Sequence, residues 1–547
     1  MMNDALKGYV CAYNSEVTGS KHMLVLERPD GVRYHILIDD GYFQEPAYRY
    51  LNYVDDMNPD NIDAIILTHN HIDHTGLVPK TVKNGYRNPI YMTEITRDLV
   101  QGFWNDCAEQ QESNAQEMRE KFPFEADKFR ALYHVEDVDR TLKYCIGIPY
   151  RKSIEILPGV KLTFWENGHL LGAAIVLIQF SYPGMKSMNF LFTGDLKMKN
   201  CFYDVPPFPR WFRNMELIMI CESTYGSTKT EDIKMCFREN ILEAFAKKQN
   251  ILIGAFAQGR MQEMLYEFKL MQDDGLIPND YAIYIDGPLG IETTFKYQRI
   301  LEWFNPSKRD FMPEGLQFVD PKSRDKILSD GVPKILITTS GMLSNGPARV
   351  YVPLFLEHRN SLIHLVGYAA EETLARTLLD AKRDAAIQIG GHYYQKNAVV
   401  KTTREKSSHA TQDQLIAFIN MFTNVKFVGV NHGNTDVKKV FAETVAEECE
   451  NVSEVGIFDR SHMFCFYRVG YKNESIGQNI IVKAMPAGLI TESRVLFGRE
   501  VARPKKVKQQ KAEGKKKKSK SNKKAGRRRP HNFGGRNNNK NKGFKKR

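Results

Sequence analysis

Six consecutive residues, His69-Asn70-His71-Ile72-Asp73-His74, set three imidazoles and a carboxylate one residue after the apolar run Ala64–Leu67 and before Thr75-Gly76. Burying so many polar rings without partners is costly, whereas on a tight turn all four side chains can point at one centre. Imidazole with carboxylate suits Zn, Mn or Fe better than Mg or Ca, so the spacing predicts a metal site. Further along stand His169 in GHLLGAA, Asp195 in FTGD, Glu222 in CESTYG, His409 in SSHATQDQL and His432 in VNHGN, with Asp39 in LIDDG upstream. Singly, each of these reads as an ordinary turn or surface residue.

Together and in this order they carry more. Asp39, the hexad from His69 to His74, His169 and Asp195 resemble the motif series of the metallo-β-lactamase superfamily. The stretch after Asp195 narrows the resemblance to the β-CASP nucleases, a branch that includes bacterial ribonuclease J and the endonuclease subunit of the cleavage and polyadenylation specificity factor. Glu222 is similar to that branch's motif A acid, His409 to its motif B histidine and His432, 23 residues on, to its motif C histidine. GAFAQGRMQEML and ITTSGMLSNGPARVY also resemble β-CASP segments. There are departures: Asn431 stands where an aliphatic residue is common, Asn434 where an acid is common, and Gly287-Pro288 replaces Ser-Pro.

The resemblance implies an α/β fold, an αββα sandwich with an inserted α/β β-CASP domain. It also implies a site holding two Zn2+, with Mn2+ as the alternative. One ion would take His69, His71 and His169, the other Asp73, His74 and His432, with Asp195 between them and Asp39 supporting the histidines. The implied reaction is hydrolysis of RNA phosphodiester bonds by a hydroxide that two zincs activate, endonucleolytic, 5′-exonucleolytic or both, with Asp73 in the catalytic set. His409 is the candidate proton donor to the leaving oxygen and Glu222 its orienting acid. Histidine at position 432 favours RNA over DNA, since the DNA-repair branch usually carries another residue there. The loop from Ser340-Gly341 to Asn345-Gly346 is a candidate phosphate cradle, because glycine lets backbone N–H groups approach an anion, and Arg260 is a further candidate substrate contact. Alternatives are hydrolysis of another ester or of DNA, and a catalytically weak RNA-binding scaffold.

Several elements must position these groups. HMLVLE and RYHILIDDG around Pro29-Asp30-Gly31 have the pattern of a β-hairpin, and Ala64–Leu67 is a short apolar strand ending at Thr68-His69. Polar residues from about 96 to 144 predict two helices broken at Phe122-Pro123. Strands resume at SIEIL, VKLTFWE, AIVLIQF and MNFLFTGD. From 209 to 392, short apolar strands (ELIMICES, NILIGAF, AIYIDG, KILITTS, SLIHLVGY) alternate with helical stretches, which predicts a parallel sheet wound with helices. The expected division is 1–208 and 393–500 for the sandwich, the latter with RNA-specificity motifs, 209–392 for the insertion, and 501–547 for a tail.

Of the net charge of +12 over 547 residues, positions 501–547 carry +20, from 21 basic residues and one acid, so the first 500 carry −8. Such dense like charge with almost no aliphatic residues predicts a disordered tail, a handle for nucleic acid or ribosomes without base readout. With 42% hydrophobic residues the rest has enough apolar material to fold. No apolar run approaches the ~18–20 residues of a membrane span, and the N-terminus lacks the halves of a signal peptide. The expectation is a cytoplasmic protein without membrane contact, its oligomeric state open to a homodimer. Eight cysteines without a CxxC pair predict reduced thiols, mostly buried.

Overall fold

The computed structural model describes residues 5–14, 16–367, 369, 373–469, 480–486 and 498–501. Among these the first strands are β1 (Ala5–Ala12), β2 (His22–Glu27), β3 (Arg33–Ile38), β4 (Ala64–Ile66), β5 (Ile90–Thr93) and β6 (Cys145–Ile148). β2 and β3 form the expected antiparallel hairpin, turned where Gly31 takes φ +87°. Next come β7 (Ile154–Leu157), β8 (Val160–Glu166), β9 (Ala174–Phe180), β10 (Met188–Phe192) and β11 (Glu216–Cys221). The middle of the chain supplies β12 (Asn250–Gly254), β13 (Ile283–Asp286), β14 (Leu316–Phe318), β15 (Ile335–Thr338), β16 (Ser361–Val366), the hairpin β17 (Ala386–Ile389) and β18 (His392–Gln395), and β19 (Val399–Thr403). The chain then adds β20 (Asn424–Val430), β21 (Val452–Phe458), β22 (His462–Val469), β23 (Ile480–Pro486) and β24 (Gly498–Val501).

Two eight-stranded sheets run β23-β22-β1-β2-β3-β4-β5-β6 and β24-β21-β20-β11-β10-β9-β8-β7. Their facing sides bury Leu6, Leu24, Ile36 and Ile66 against Phe164, Val176, Phe190 and Ile218. Outside the first sheet, Val82, Val100 and Trp104 of the helices Val78–Lys83 and Glu94–Lys121 pack on Ile65 and Met92. Outside the second, Leu415 and Phe441 of Gln412–Ile419 and Thr435–Glu448 pack on Met219 and Val428. The architecture is the expected helix-sheet-sheet-helix sandwich, with a third, all-parallel sheet of order β14-β13-β15-β12-β16-β19.

Two strands differ from the sequence reading. β11, taken with the alternating segment from 209, pairs in parallel with β10 and β20 and so belongs to the second sandwich sheet. β19, which follows position 393, lies at the edge of the third sheet on β16. β11 is apolar and buried on both faces and β19 is a short, half-exposed edge strand, so neither carries a face pattern that selects its sheet, and periodicity assigns an element but not its partner. The poorly readable stretch after 450 returns to the sandwich, β22 pairing with β1 and β21 with β20. Beyond Val501 the basic tail lies outside the described residues. Among the described residues no helix is long and apolar enough to cross a membrane, and six of the eight cysteines are buried.

Candidate metal centre

β4 delivers the hexad to the sandwich edge, and His71 caps a one-turn helix, Ile72–Thr75. That turn is gripped from three sides. Trp104, fully buried on the long helix, donates Nε1–H to the Thr75 carbonyl at 3.0 Å. Ser20 N donates to the Asp73 carbonyl and Asp40 N to that of His74, each at 2.8 Å. Gly41 packs so closely that a Cβ there would lie 1.8 Å from the Asp73 carbonyl oxygen, so only glycine fits. Asp39, at φ 58°, accepts from Thr68 N at 2.8 Å and Thr68 Oγ1 at 2.9 Å, and its Oδ2 accepts from His74 Nδ1–H at 2.7 Å.

The ligand-type atoms converge in two groups, His69, His71, His169 and Asp195 in one, Asp73, His74 and His432 in the other. In the first, His69 Nε2 and His169 Nε2 lie 3.1 and 3.2 Å from His71 Nδ1, and 3.6 and 3.4 Å from Asp195 Oδ2. In the second, His74 Nε2 and His432 Nε2 are 3.1 Å apart, and 3.1 and 3.3 Å from Asp195 Oδ1. Asp73 Oδ2 closes that group at 4.0 and 3.9 Å. The two oxygens of Asp195 thus face different groups.

Proton placement makes these cation sites rather than hydrogen-bonded clusters. His169 donates Nδ1–H to the Ser408 carbonyl at 3.0 Å, His74 donates its own to Asp39, and His432 Nδ1 faces Thr224 Oγ1 at 3.2 Å. Their Nε2 lone pairs are therefore left pointing inward at one another and at a carboxylate. Asp195 Oδ1, buried, accepts no hydrogen bond. Converging imidazole lone pairs and an unpaired carboxylate oxygen fit a borderline divalent ion. Burial pushes the His69 and His169 imidazoles far below their usual range and His71 to about 4, keeping all three neutral and able to ligate. For His74 burial acts the same way, but the carboxylates of Asp195 and Asp39 outweigh it and raise its proton affinity, so a cation would bind there by displacing a proton from Nε2. Burial opposes ionisation of Asp195, yet His432, His74 and their neighbours hold its carboxyl well below the usual range.

Beside the groups stands His409, one-fifth exposed, its Nδ1 3.2 Å from both oxygens of Glu222 and its Nε2 3.9 Å from Asp195 Oδ2. Glu222 is itself fixed by Leu196 N at 2.6 Å and Thr224 N at 3.1 Å. Burial would lower the His409 pKa, but Glu222, then Asp195, push it up to about 9.

The two candidate substrate-contact sets are placed differently. Arg260 is 4% exposed, its guanidinium held by Glu263 and Ser408. In the loop after β15, Ser340 N and Asn345 N turn inward, to the Asn345 carbonyl and to Ser340 Oγ, and Gly346 takes φ +62°. Gly341 packs on Phe256, whose ring centroid lies 6.5 Å from that of His71.

Other residues brace the site without a signal in the sequence. Asn167 accepts from His169 N at 2.7 Å and donates to the Thr193 and Asp195 carbonyls. Asn431 donates to Asn14 Oδ1 at 3.1 Å and to His22 Nε2 at 2.6 Å, tying the strand end that carries His432 to the first sheet. Only Asn431 stood out beforehand, as a departure from the family pattern.

Three family models match the chain in order: the metallo-beta-lactamase superfamily at residues 22–217, the Beta-Casp domain at 261–378, and the Zn-dependent metallo-hydrolase RNA specificity domain at 393–453. The chain is 32% identical over 427 residues to a protein named transcription termination factor FttA from Methanosarcina mazei, covering 73% of this chain and 63% of that protein. A protein of the same name from Pyrococcus abyssi is 30% identical over 402 residues, 69% of this chain and 57% of that one. A protein named as a ribonuclease from Thermus thermophilus is 28% identical over 452 residues, 80% of this chain and 95% of that one. The chain therefore spans less than two thirds of these archaeal relatives and nearly the whole of the bacterial one.

Proposed function

This chain belongs to the β-CASP branch of the metallo-β-lactamase superfamily, and on that premise we propose that it is a metal-dependent ribonuclease using two zinc ions. The observation that carries the reading is Asp195, one carboxylate with an oxygen toward each of two inward-facing imidazole groups. His69, His71 and His169 would hold one ion, Asp73, His74 and His432 the other, and Asp195 both. Ions so held supply Lewis acidity that lowers the pKa of water and offsets phosphate charge.

The chain's own residues do the rest. Asp39 fixes the His74 ring by accepting the hydrogen bond from Nδ1–H, so that Nε2 faces inward. The Ser408 carbonyl does the same for His169. His409 gives its Nε2 proton to the departing oxygen, and Glu222, at Nδ1, keeps the ring charged and aimed before the bond breaks. RNA is the substrate class supported by the RNA specificity domain match and by the name of the bacterial relative. The segment 501–547, at +20, adds sequence-independent attraction for polyanions.

The test is degradation of a 5′-labelled RNA by the purified full chain, with zinc content measured on the same sample. Turnover that chelation stops, that Zn2+ or Mn2+ restores, and that His71→Ala abolishes is the expected result. A DNA strand or a small ester cleaved faster than RNA would overturn the assignment. The size of the first labelled product separates endonucleolytic from 5′-exonucleolytic action.

A further inference from the structure

The turn between β12 and the helix Arg260–Asp273 belongs to the third sheet, yet its side chains end on three loops of the metal centre. Gln258 and Arg260 are 2% and 4% exposed. Gln258 Oε1 accepts from the side-chain amide of Asn70, which stands between His69 and His71. Its Nε2 donates to the Leu171 carbonyl at 2.9 Å, just past His169. Arg260 Nη2 donates to Ser408 Oγ at 2.9 Å, next to His409, while Nη1 is held by Glu263. Gly259 between them takes φ +76°, a bend that sends its two neighbours to different loops.

A cation this buried, with its terminal nitrogens committed to protein acceptors, is poorly placed to grip a solvated phosphate. Glu263 of its own helix fixes one end of the guanidinium, and the other ends on the segment that carries the proton donor. We infer that Gln258 and Arg260 are positioning residues, through which the third sheet sets the ligand loops and the proton-donor loop respectively. The inference rests on the reading of His409 as proton donor and of the inward imidazoles as ligands. It assigns separate consequences to two residues one bend apart. Loosening Arg260 lets His409 drift from the leaving oxygen, which costs rate only where that oxygen needs a proton. Loosening Gln258 frees the His69–His71 and His169 loops, which weakens ion binding first.

The experiment compares full-chain wild type, Arg260→Ala, Arg260→Lys, Ser408→Ala, Gln258→Leu and His409→Ala. The substrates are saturating RNA and bis(p-nitrophenyl) phosphate, whose aryl oxide departs without a proton. Zinc retention against a competing chelator is read on every protein. Arg260→Ala is expected to lower kcat on RNA about 30-fold with KM within about 2-fold, to leave the aryl diester rate at saturating zinc within about 3-fold, and to weaken zinc retention much less than Gln258→Leu does, since the segment it holds meets the ligands only through the Ser408 carbonyl on His169. Arg260→Lys recovers part of the loss, and Ser408→Ala, a small change that should fold whatever Arg260→Ala does, repeats the pattern in milder form. Gln258→Leu is expected to weaken zinc retention about tenfold and to slow both substrates together at limiting metal. A rise in KM at constant kcat in Arg260→Ala, equal loss on both substrates, or wild-type zinc retention in Gln258→Leu overturns the inference. If His409→Ala itself slows the aryl diester as much as RNA, the proton-donor reading falls and takes the Arg260 half with it. Zinc retention still decides Gln258.

Discussion

At His409 two opposed effects meet on one ring, and the sign of their sum sets a pH dependence. Burial disfavours the imidazolium, while the Glu222 and Asp195 carboxylates favour it enough to raise the pKa to about 9. A proton donor works below its own pKa, so RNA turnover should fall on the alkaline side as His409 empties. Glu222→Gln removes the first of the raising charges, and the alkaline limb should move to lower pH by roughly 1–2 units. A pH profile of kcat in both proteins checks this, and an unmoved limb rejects the pairing. Asp195→Asn tests the neighbouring carboxylate. An amide keeps the shape but removes the charge facing both imidazole groups, so zinc bound per chain should fall from about two toward one or none. Elemental analysis of the purified variant reads it directly. The hexad was legible because its donors are contiguous and follow a strand. Asn167, Gln258 and Asn14 were not, because each acts through hydrogen bonds to residues chosen by the fold, and an amide in a loop has no residue-level mark of such a task.

Among the elements, the one-turn helix Ile72–Thr75 is too short to hold itself, since nucleating a turn fixes several residues for one bond. Its geometry must come from outside, and Trp104 supplies both an indole N–H to Thr75 and a fully buried ring on the helix Glu94–Lys121. Trp104→Phe should keep most of the packing while losing the hydrogen bond, at about 1–2 kcal/mol with weaker zinc retention; Trp104→Ala should cost about 3–5 kcal/mol. Denaturant unfolding of the two variants separates packing from placement. The hairpin around Gly31, the helices either side of Phe122-Pro123 and most strands could be read from periodicity and turn residues. The sheet that receives β11 could not, because a parallel strand buried on both faces looks alike from either sheet, and β19, with Val399 and Thr402 exposed at the sheet edge, has no apolar pattern that names a partner.

For the whole molecule, charge is the property that the folded part and the tail divide unequally. The first 500 residues carry −8, a poor start for the proposed action on a polyanion, until the two carboxylates and five imidazoles of the site are set against the two dications they would hold, which no residue count includes. Positions 501–547, at +20, would then act by counterion release, which scales with the number of phosphates neutralised and not with their sequence. On single-stranded RNA each neutralised phosphate contributes about −0.7 to the slope of log K against log salt, so six tail contacts amount to a slope of about −4. Truncation after Pro504 should therefore weaken binding of long RNA most at low salt, and flatten the salt dependence by that amount. It should leave kcat on a short oligonucleotide unchanged, because the residues around Asp195 are untouched. Filter binding across a salt series, beside turnover of a short substrate, measures both. An unchanged slope would assign the attraction to the folded part, and a lost kcat would give the tail a part in the chemistry that its composition does not suggest.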